Sequence, residues 1–275
     1  MPELPEVETI RRGLIPLVVG KTIESVEVLC NRIIRTPDEP LLLMMELAGE
    51  TIHDIGRKGK HLLFELDHWT LVSHLRMEGK YSVVKQGEPY DKHTHVLFHF
   101  TDGTDLRYHD VRKFGTMDLI PKGQYTLVNA IAEMGPEPID PAFTVQKFKE
   151  RLNSRKTAIK MVLLNQQVVS GLGNIYVDEA LALSHIHPLR TADSLKKKEL
   201  DKLFDAMRIV LQKGIDLGGA TIRTYVNSLG KQGLMQEDLY VYGMTGEPCK
   251  FCGISIEKIF VGGRGTHYCP KCQKV

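Results

Sequence analysis

Residues 96–110 read Val96-Leu97-Phe98-His99-Phe100-Thr101-Asp102-Gly103-Thr104-Asp105-Leu106-Arg107-Tyr108-His109-Asp110. Two short runs of aromatic and branched apolar residues flank Thr101-Asp102-Gly103-Thr104, and an Asp-Gly pair between such runs is a hairpin signal. Further runs of the same kind lie upstream at 23–29, 49–55, 61–66, 71–75 and 81–84. A single amphipathic helix is expected before them, over residues 3–18. Val7, Ile10, Leu14 and Leu17 share one face of it, and its glutamates cluster in the first turn, where the helix dipole favours them. Gly20 ends it. Many short strands with one helix predict an N-terminal β-sandwich.

Downstream the pattern changes. Gly135-Pro136-Glu137-Pro138 punctuates a boundary within 123–137, and helical periodicity takes over at 143–152, 158–165, 175–184 and 196–214. Residues 216–238 are too rich in glycine for a packed helix and read as a mobile loop. The expected class is α+β, with domains at 1–129, 130–239 (including the loop 216–238) and 240–275. No internal repeat is evident.

The last domain carries the plainest chemical signal. Cys249-x2-Cys252 and Cys269-x2-Cys272 are separated by sixteen residues. Two close thiol pairs satisfy tetrahedral Zn²⁺, with the spacing of a zinc ribbon, and four cysteine ligands leave no open position for catalysis. One structural Zn²⁺ is the expected cofactor. Two disulfides are the competing reading, disfavoured because the N-terminus lacks a secretory pattern. The fifth cysteine, Cys30, sits among apolar neighbours and reads as a buried structural thiol.

With 275 residues, 42% hydrophobic and 25% charged, the composition is that of an ordinary globular protein. No apolar run approaches the roughly 20 residues of a membrane span, so a cytoplasmic protein is expected. The formal net charge is only +2. Its distribution is uneven: acidic residues outnumber basic ones over 1–129, and basic residues prevail over 130–239 and 240–275. Positive charge towards the C-terminus suits an element facing phosphates.

The opening string Pro2-Glu3-Leu4-Pro5-Glu6-Val7-Glu8-Thr9 resembles the start of bacterial formamidopyrimidine-DNA glycosylases. His74-Leu75-Arg76-Met77-Glu78-Gly79, Asp110-Val111-Arg112-Lys113-Phe114-Gly115, Gly173-Asn174-Ile175-Tyr176 and the cysteine module are also similar to that family's motifs, in the same order along the whole chain. The resemblance implies a base-excision-repair enzyme, acting as a monomer on double-stranded DNA that contains an oxidised purine or an abasic site. It also implies a helix–two-turn–helix around Val169–Asn174.

The implied catalytic residues are Pro2, Glu3, Lys60 and Arg264. Pro2 would be the nucleophile once Met1 is removed. An α-amino group titrates at about 7.7–8.0, so a useful fraction is neutral near pH 7. Glu3 would protonate the opening sugar, with Glu6 a helix-start charge partner. Lys60 would assist β-elimination, with Lys58 the competing lysine. Arg264 would bind phosphate and assist δ-elimination.

Met77, Arg112 and Phe114 would fill the space left by a flipped base and read its partner. From residue type alone, Met77 and Phe114 read as core and Arg112 as a surface charge. His93, Lys156 and Asn174 match DNA contacts, and Asn174 is placed to cap the helix that follows. Glu78, Thr221, Arg223, Thr224 and Tyr225 would line the lesion pocket. An endonuclease VIII-like enzyme for oxidised pyrimidines shares the expected fold, and a non-catalytic zinc-ribbon DNA-binding protein is the alternative from another class.

Overall fold

In the computed structural model, which describes residues 1–153, 155–220 and 233–275, the chain divides into two units. One is Met1–Ala132 with the described residues of Gly218–Gly233. The other is Glu133–Leu217 with Leu234–Val275.

The first unit opens with helix α1 (Leu4–Val18), followed by β1 (Ile23–Val28), β2 (Ile34–Thr36) and α2 (Pro40–Leu47). Strands β3 (Asp54–Lys58), β4 (His61–Glu65), β5 (Trp69–His74), β6 (Lys80–Lys85), β7 (Thr94–Phe100), β8 (Thr104–His109) and β9 (Thr116–Pro121) come next, then the short α3 (Asn129–Ala132). One sheet has the order β1-β7-β8-β6 and the other β2-β9-β5-β4-β3. Every pairing is antiparallel except β2 with β9.

The two sheets share a core. Val26, Phe98, Phe100, Leu106 and Tyr108 come from the first sheet, Ile55, Leu62, Phe64, Leu71 and Leu119 from the second, and Val7, Ile10 and Leu14 from α1. The rings of Phe64 on β4 and Tyr81 on β6 meet edge-on at 5.4 Å, which places one sheet over the other. Burial of each such side chain contributes about 1.5–3 kcal/mol. The expected sandwich is present, and residues 96–110 form its central hairpin, with Phe98 opposite Leu106. Gly103 takes a positive φ of 81°, and Asp102 Oδ1 accepts from the Thr104 N–H at 3.0 Å.

Several expectations are corrected. Helix α2 is an additional element: Pro40-Leu41-Leu42-Leu43-Met44-Met45 is uniformly apolar and shows no 3.6-residue stripe, although only Leu43 and Leu47 are fully buried. Strand β9 is a further element: Asp118 interrupts its apolar run in the sequence, and in the fold Asp118 accepts from the Thr36 hydroxyl at 3.0 Å. Residues 49–53 form no strand beyond the isolated Thr51–Thr22 bridge, and the strand runs over Asp54–Lys58 instead. Cys30 packs at the edge of the core and is half-exposed.

Glu6 and Glu8 differ most from their reading as dipole partners, because only 2% and 7% of their surface is exposed. Glu8 accepts from Arg11 at 2.9 Å and Arg12 at 2.8 Å on its own helix, and from Arg57 of β3 at 3.1 Å. Burial pushes its carboxyl up, but these guanidinium hydrogen bonds prevail and hold it at about 2.

In the second unit α4 (Val145–Leu152), α5 (Ile159–Leu164), α6 (Asn174–Leu183) and α7 (Lys197–Asp216) lie close to the expected helices. The Thr144 hydroxyl caps α4 by accepting from the Lys147 N–H. Phe143, Phe148 and Phe204 pack ring against ring. Gly214 of α7 lets Tyr176 of α6 approach so closely that an added Cβ would overlap the phenol. Between α5 and α6, the Gln166 amide bonds to Leu164 and Leu172 carbonyls and accepts from the Gly171 N–H, shaping a double turn.

Strands β10 (Glu257–Val261) and β11 (Arg264–Tyr268) form the C-terminal hairpin. The Sγ atoms of Cys249, Cys252, Cys269 and Cys272 all lie within 4.8 Å of one another. Cys249–Cys272 and Cys252–Cys269 are 4.0 and 3.5 Å apart. A disulfide needs about 2.05 Å, whereas zinc with bonds of about 2.3 Å requires tetrahedral edges of about 3.8 Å. The four sulfurs therefore fit a zinc ion.

Glu8→Gln should lower Tm at pH 7, because removing the charge strands the nearly buried Arg57 guanidinium, 10% exposed, at a cost of about 2 kcal/mol. The folded-state pKa lies below the unfolded one, so this stability is present above about pH 4.5 and is lost as pH falls towards 2. The Tm difference between wild type and variant should narrow over that window in acid melts. For the metal, elemental analysis should return one zinc per chain. Stripping it should release the C-terminal hairpin, read as selective loss of amide protection over 246–275 in hydrogen exchange.

Candidate active site

The residues that follow Met1, from Pro2 to Glu8, are buried. Pro2 is enclosed, and its nitrogen here lies in the peptide bond from Met1, which is 43% exposed. Glu3 immediately precedes α1 and has 2% of its surface exposed. Its backbone N–H donates to Glu6 Oε2 at 2.8 Å, while Glu6 Oε1 accepts from the Ala220 N–H at 2.7 Å. Gly219, at a φ of 82°, passes so close that a Cβ there would meet the Glu6 side chain at 2.8 Å. Glu6 thus fastens the helix start to the entrance of the glycine-rich stretch.

Lys60 occupies the two-residue turn between β3 and β4, where Gly59 supplies the positive φ (57°) that so tight a hairpin needs. Arg57 connects this turn to α1, donating to Glu8 and, at 2.9 Å, to the Gly59 carbonyl. Lys60 is buried, with 5% exposed, whereas Lys58 projects into solvent, so the structure separates two lysines that composition did not.

Beside the turn, His61 and His74 meet ring to edge at 4.4 Å. Burial, followed by the charges of Arg76, Arg35 and Lys60, lowers His61 to about 4. Burial, followed by His61, Arg76 and Lys60, holds His74 well below the ordinary range. Both rings are neutral at pH 7, and His74 Nδ1 accepts from the Arg76 N–H at 2.9 Å. Sequence reasoning assigned neither histidine a role. The only signal was the position of His74 at the head of the His-Leu-Arg-Met string.

The expected gap-filling trio stands out from the sandwich. Met77 is 40% and Phe114 42% exposed, unusual for side chains that residue type alone would place in the core. The exposed Arg112 guanidinium lies 4.6 Å from the Phe114 ring centre. His93 is half-buried, 5.6 Å from the His109 ring. Glu78 follows Met77 and is half-buried.

In the second unit, Gly262 and Gly263 make the hairpin tip with φ of 55° and 75°, and the exposed Arg264 directly follows. A buried ion pair, Lys160–Asp178 at 2.6 Å, lies beneath it. Lys160 also reaches the Gly265 carbonyl at 3.3 Å, and Asp178 accepts from the His267 N–H at 2.9 Å. Asn174 does not cap α6, because Gly173 occupies that position. Its Nδ2 instead donates to the Gly265 carbonyl at 2.9 Å, a partner far away in sequence. Lys156 is exposed near the start of α5. Thr221, Arg223, Thr224 and Tyr225 lie outside the described residues.

Within each unit, the backbone of a tight hairpin turn that carries a cation is therefore held by charged groups packed against it. Comparison with known proteins gives the context. Residues 1–117 match the formamidopyrimidine-DNA glycosylase N-terminal domain, residues 134–226 the H2TH domain of the same enzyme, and residues 246–275 a zinc finger found in FPG and IleRS. The formamidopyrimidine-DNA glycosylase of Bacillus licheniformis is 53% identical, covering 100% of both chains, and that of Bacillus subtilis 54% identical, covering 99% of both. Lactococcus lactis Fpg with N7-benzyl-Fapy-dG DNA is 46% identical, covers 100% of both chains and superimposes with a TM-score of 0.93. The same Lactococcus lactis enzyme with abasic-site DNA is 46% identical, covers 99% of this chain and 100% of its own, and gives 0.92. The zinc finger match and the four convergent sulfurs agree on one structural zinc. This chain belongs to the formamidopyrimidine-DNA glycosylase family.

Proposed function

We propose that this protein excises oxidised purines, 8-oxoguanine and formamidopyrimidines, from duplex DNA and then cuts the strand at the resulting site. The observation that carries the reading is the buried start of the chain, where Pro2 and Glu3 precede a helix tied through Glu8 and Arg57 to the Lys60 turn. Relatives named formamidopyrimidine-DNA glycosylase over their full length support the substrate class. Solved complexes of a relative with N7-benzyl-Fapy-dG DNA and with abasic-site DNA support the partner.

With Met1 removed, the Pro2 nitrogen attacks C1′ of the damaged nucleotide and the N-glycosidic bond breaks, its electron pair leaving with the base, which takes up the proton that the amine gives up. Glu3 delivers a proton to O4′ as the sugar opens, and the C1′–nitrogen bond becomes an iminium. That cation acidifies C2′–H. Loss of this proton expels the 3′-phosphate (β-elimination), and a second elimination expels the 5′-phosphate. Lys60 and Arg264 are cations suited to steadying those departing phosphates. Water hydrolyses the iminium and frees the amine.

The family's base-flipping logic assigns Met77 and Phe114 to the vacated space and Arg112 to the orphaned partner base, with cytosine preferred. His93, Lys156 and Asn174 take backbone contacts, and Glu78 with Thr221, Arg223, Thr224 and Tyr225 the lesion pocket. The sandwich of 1–129 is the catalytic domain, 130–239 the helix–two-turn–helix domain and 240–275 the zinc domain. The protein acts as a monomer on cytoplasmic, nucleoid DNA. No described helix is long and apolar enough to cross a membrane.

Borohydride trapping on duplexes with one 8-oxoguanine opposite cytosine tests this. A covalent complex should form with wild type, disappear in Pro2→Gly, and exceed that on a thymine-glycol duplex. A preference for thymine glycol would move the substrate to oxidised pyrimidines, and no complex from processed, zinc-loaded protein would refute the lyase chemistry. Arg112→Ala should reduce discrimination between cytosine and adenine opposite the lesion at least fivefold, leaving cleavage of abasic DNA within about twofold, on the scale of one base contact of about 1–3 kcal/mol. Equal discrimination by the variant would refute the role of Arg112.

A further inference from the structure

We infer that Asp110 and Tyr108 are positioning residues that make the gap-filling side chains act as one rigid unit, Asp110 by closing the Arg112–Phe114 turn and Tyr108 by bracing that turn against the one carrying Met77. The inference rests on the oxidised-purine reading above for the roles of those three side chains.

Asp110 follows β8 and has 0% of its surface exposed. Its Oδ1 accepts from the Arg112 N–H at 3.0 Å, and Oδ2 accepts from the Phe114 N–H at 2.9 Å and the Gly115 N–H at 2.8 Å. Its own N–H donates to the His93 carbonyl at 2.9 Å, and its carbonyl accepts from His95 Nε2 at 2.8 Å. One residue thus joins the backbone of His93, Arg112 and Phe114.

Among the described residues, the carboxylate's hydrogen-bond partners are backbone N–H groups and the Tyr108 hydroxyl, at 3.4 Å. A buried carboxylate is costly unless its oxygens are saturated. Opening the turn would leave this one uncompensated, so the turn stays closed. The closure holds Lys113 at a φ of 55°, a strained conformation costing about 1–3 kcal/mol. Asparagine has nearly the same shape but would direct an NH2 group at N–H donors.

Tyr108 is also fully buried, and its hydroxyl occupies a notch between two glycines. A Cβ on Gly79 or on Gly115 would overlap that hydroxyl. Gly79 closes the Met77 turn by donating to the Leu75 carbonyl at 3.0 Å, and Gly115 closes the Arg112–Phe114 turn on Asp110. Two turns, each presenting an exposed apolar side chain, are therefore seated on one phenol. A wedge that must displace a stacked base gains from such pre-organisation, because little ordering remains to be done on binding.

The test uses full-length, zinc-loaded protein lacking Met1, with Asp110→Asn and Tyr108→Phe compared with wild type. Three readouts are taken below the Tm of each variant: excision opposite cytosine against adenine, fluorescence of 2-aminopurine next to the lesion, and borohydride trapping on a preformed abasic site. Asp110→Asn should lower the cytosine-over-adenine ratio at least fivefold and abolish the fluorescence rise on binding, with abasic-site trapping within twofold of wild type. Tyr108→Phe should lose part of the fluorescence rise in the same direction. Unchanged discrimination and fluorescence would overturn the inference, as would a parallel fall in all three readouts, which marks a merely structural role. If Asp110→Asn does not fold, Tyr108→Phe decides by the same criteria. A wild type that neither traps on 8-oxoguanine DNA nor discriminates would fail the underlying reading, a result distinct from a discriminating wild type beside an equally discriminating variant.

Discussion

Three guanidinium groups, from Arg11, Arg12 and Arg57, converge on the Glu8 carboxylate between α1 and β3. The geometry of the first unit's site depends on this cluster. A residue next to a chain terminus, such as Pro2, is held by covalent structure almost entirely from one side, and free termini fray. The remedy here is a helix beginning two residues later, whose charged face is pinned to the sheet. Because Arg57 also donates to the Gly59 carbonyl, the same cluster sets the Lys60 turn. Glu6 completes the anchorage two residues earlier by taking N–H groups from Glu3 and Ala220.

The second unit solves a similar problem with different groups. The zinc ribbon is too small to possess an extensive core; Val241, Ile256 and Ala182 supply what there is, together with the cysteines. Seating its hairpin tip therefore falls to Lys160, Asn174 and Asp178, which reach up from α5 and α6 to the backbone of Gly265 and His267. Breaking a buried ion pair by removing one partner costs about 3–5 kcal/mol. The hairpin is thus held by interactions that resist small displacements of Arg264.

Much of this architecture was legible in the sequence, for identifiable reasons. The β7–β8 hairpin could be read because its turn chemistry and its alternation agree, and the helices of the second unit because their apolar spacing is regular. Four cysteines at ribbon spacing have few other uses. Helix α2 was not legible because its apolar residues carry no period, and β9 was obscured by Asp118, whose partner Thr36 is far away in sequence. The site showed the same division. Motifs identified the side chains that point outward, such as Met77, Arg112 and Phe114. The buried groups beneath the turns, Glu8 under the Lys60 turn and Lys160 with Asp178 under the Arg264 hairpin, are charged residues whose burial depends on long-range partners, which no local pattern signals. Asn174 was placed correctly near a helix start, but its amide serves the zinc hairpin instead of the helix.

Lys60 sits within a two-residue hairpin turn, and Arg264 directly follows another. Such turns have no slack. Inserting or deleting one residue in either would slip the strand register and send alternate side chains to the opposite face, carrying the core residues of β4 or the ribbon contacts of β11 with it. Homologous chains can therefore vary in composition around these two cations much more freely than in length. Insertions and deletions should collect elsewhere, in connections such as 86–92 or 122–128, where the placement of neither cation depends on the count.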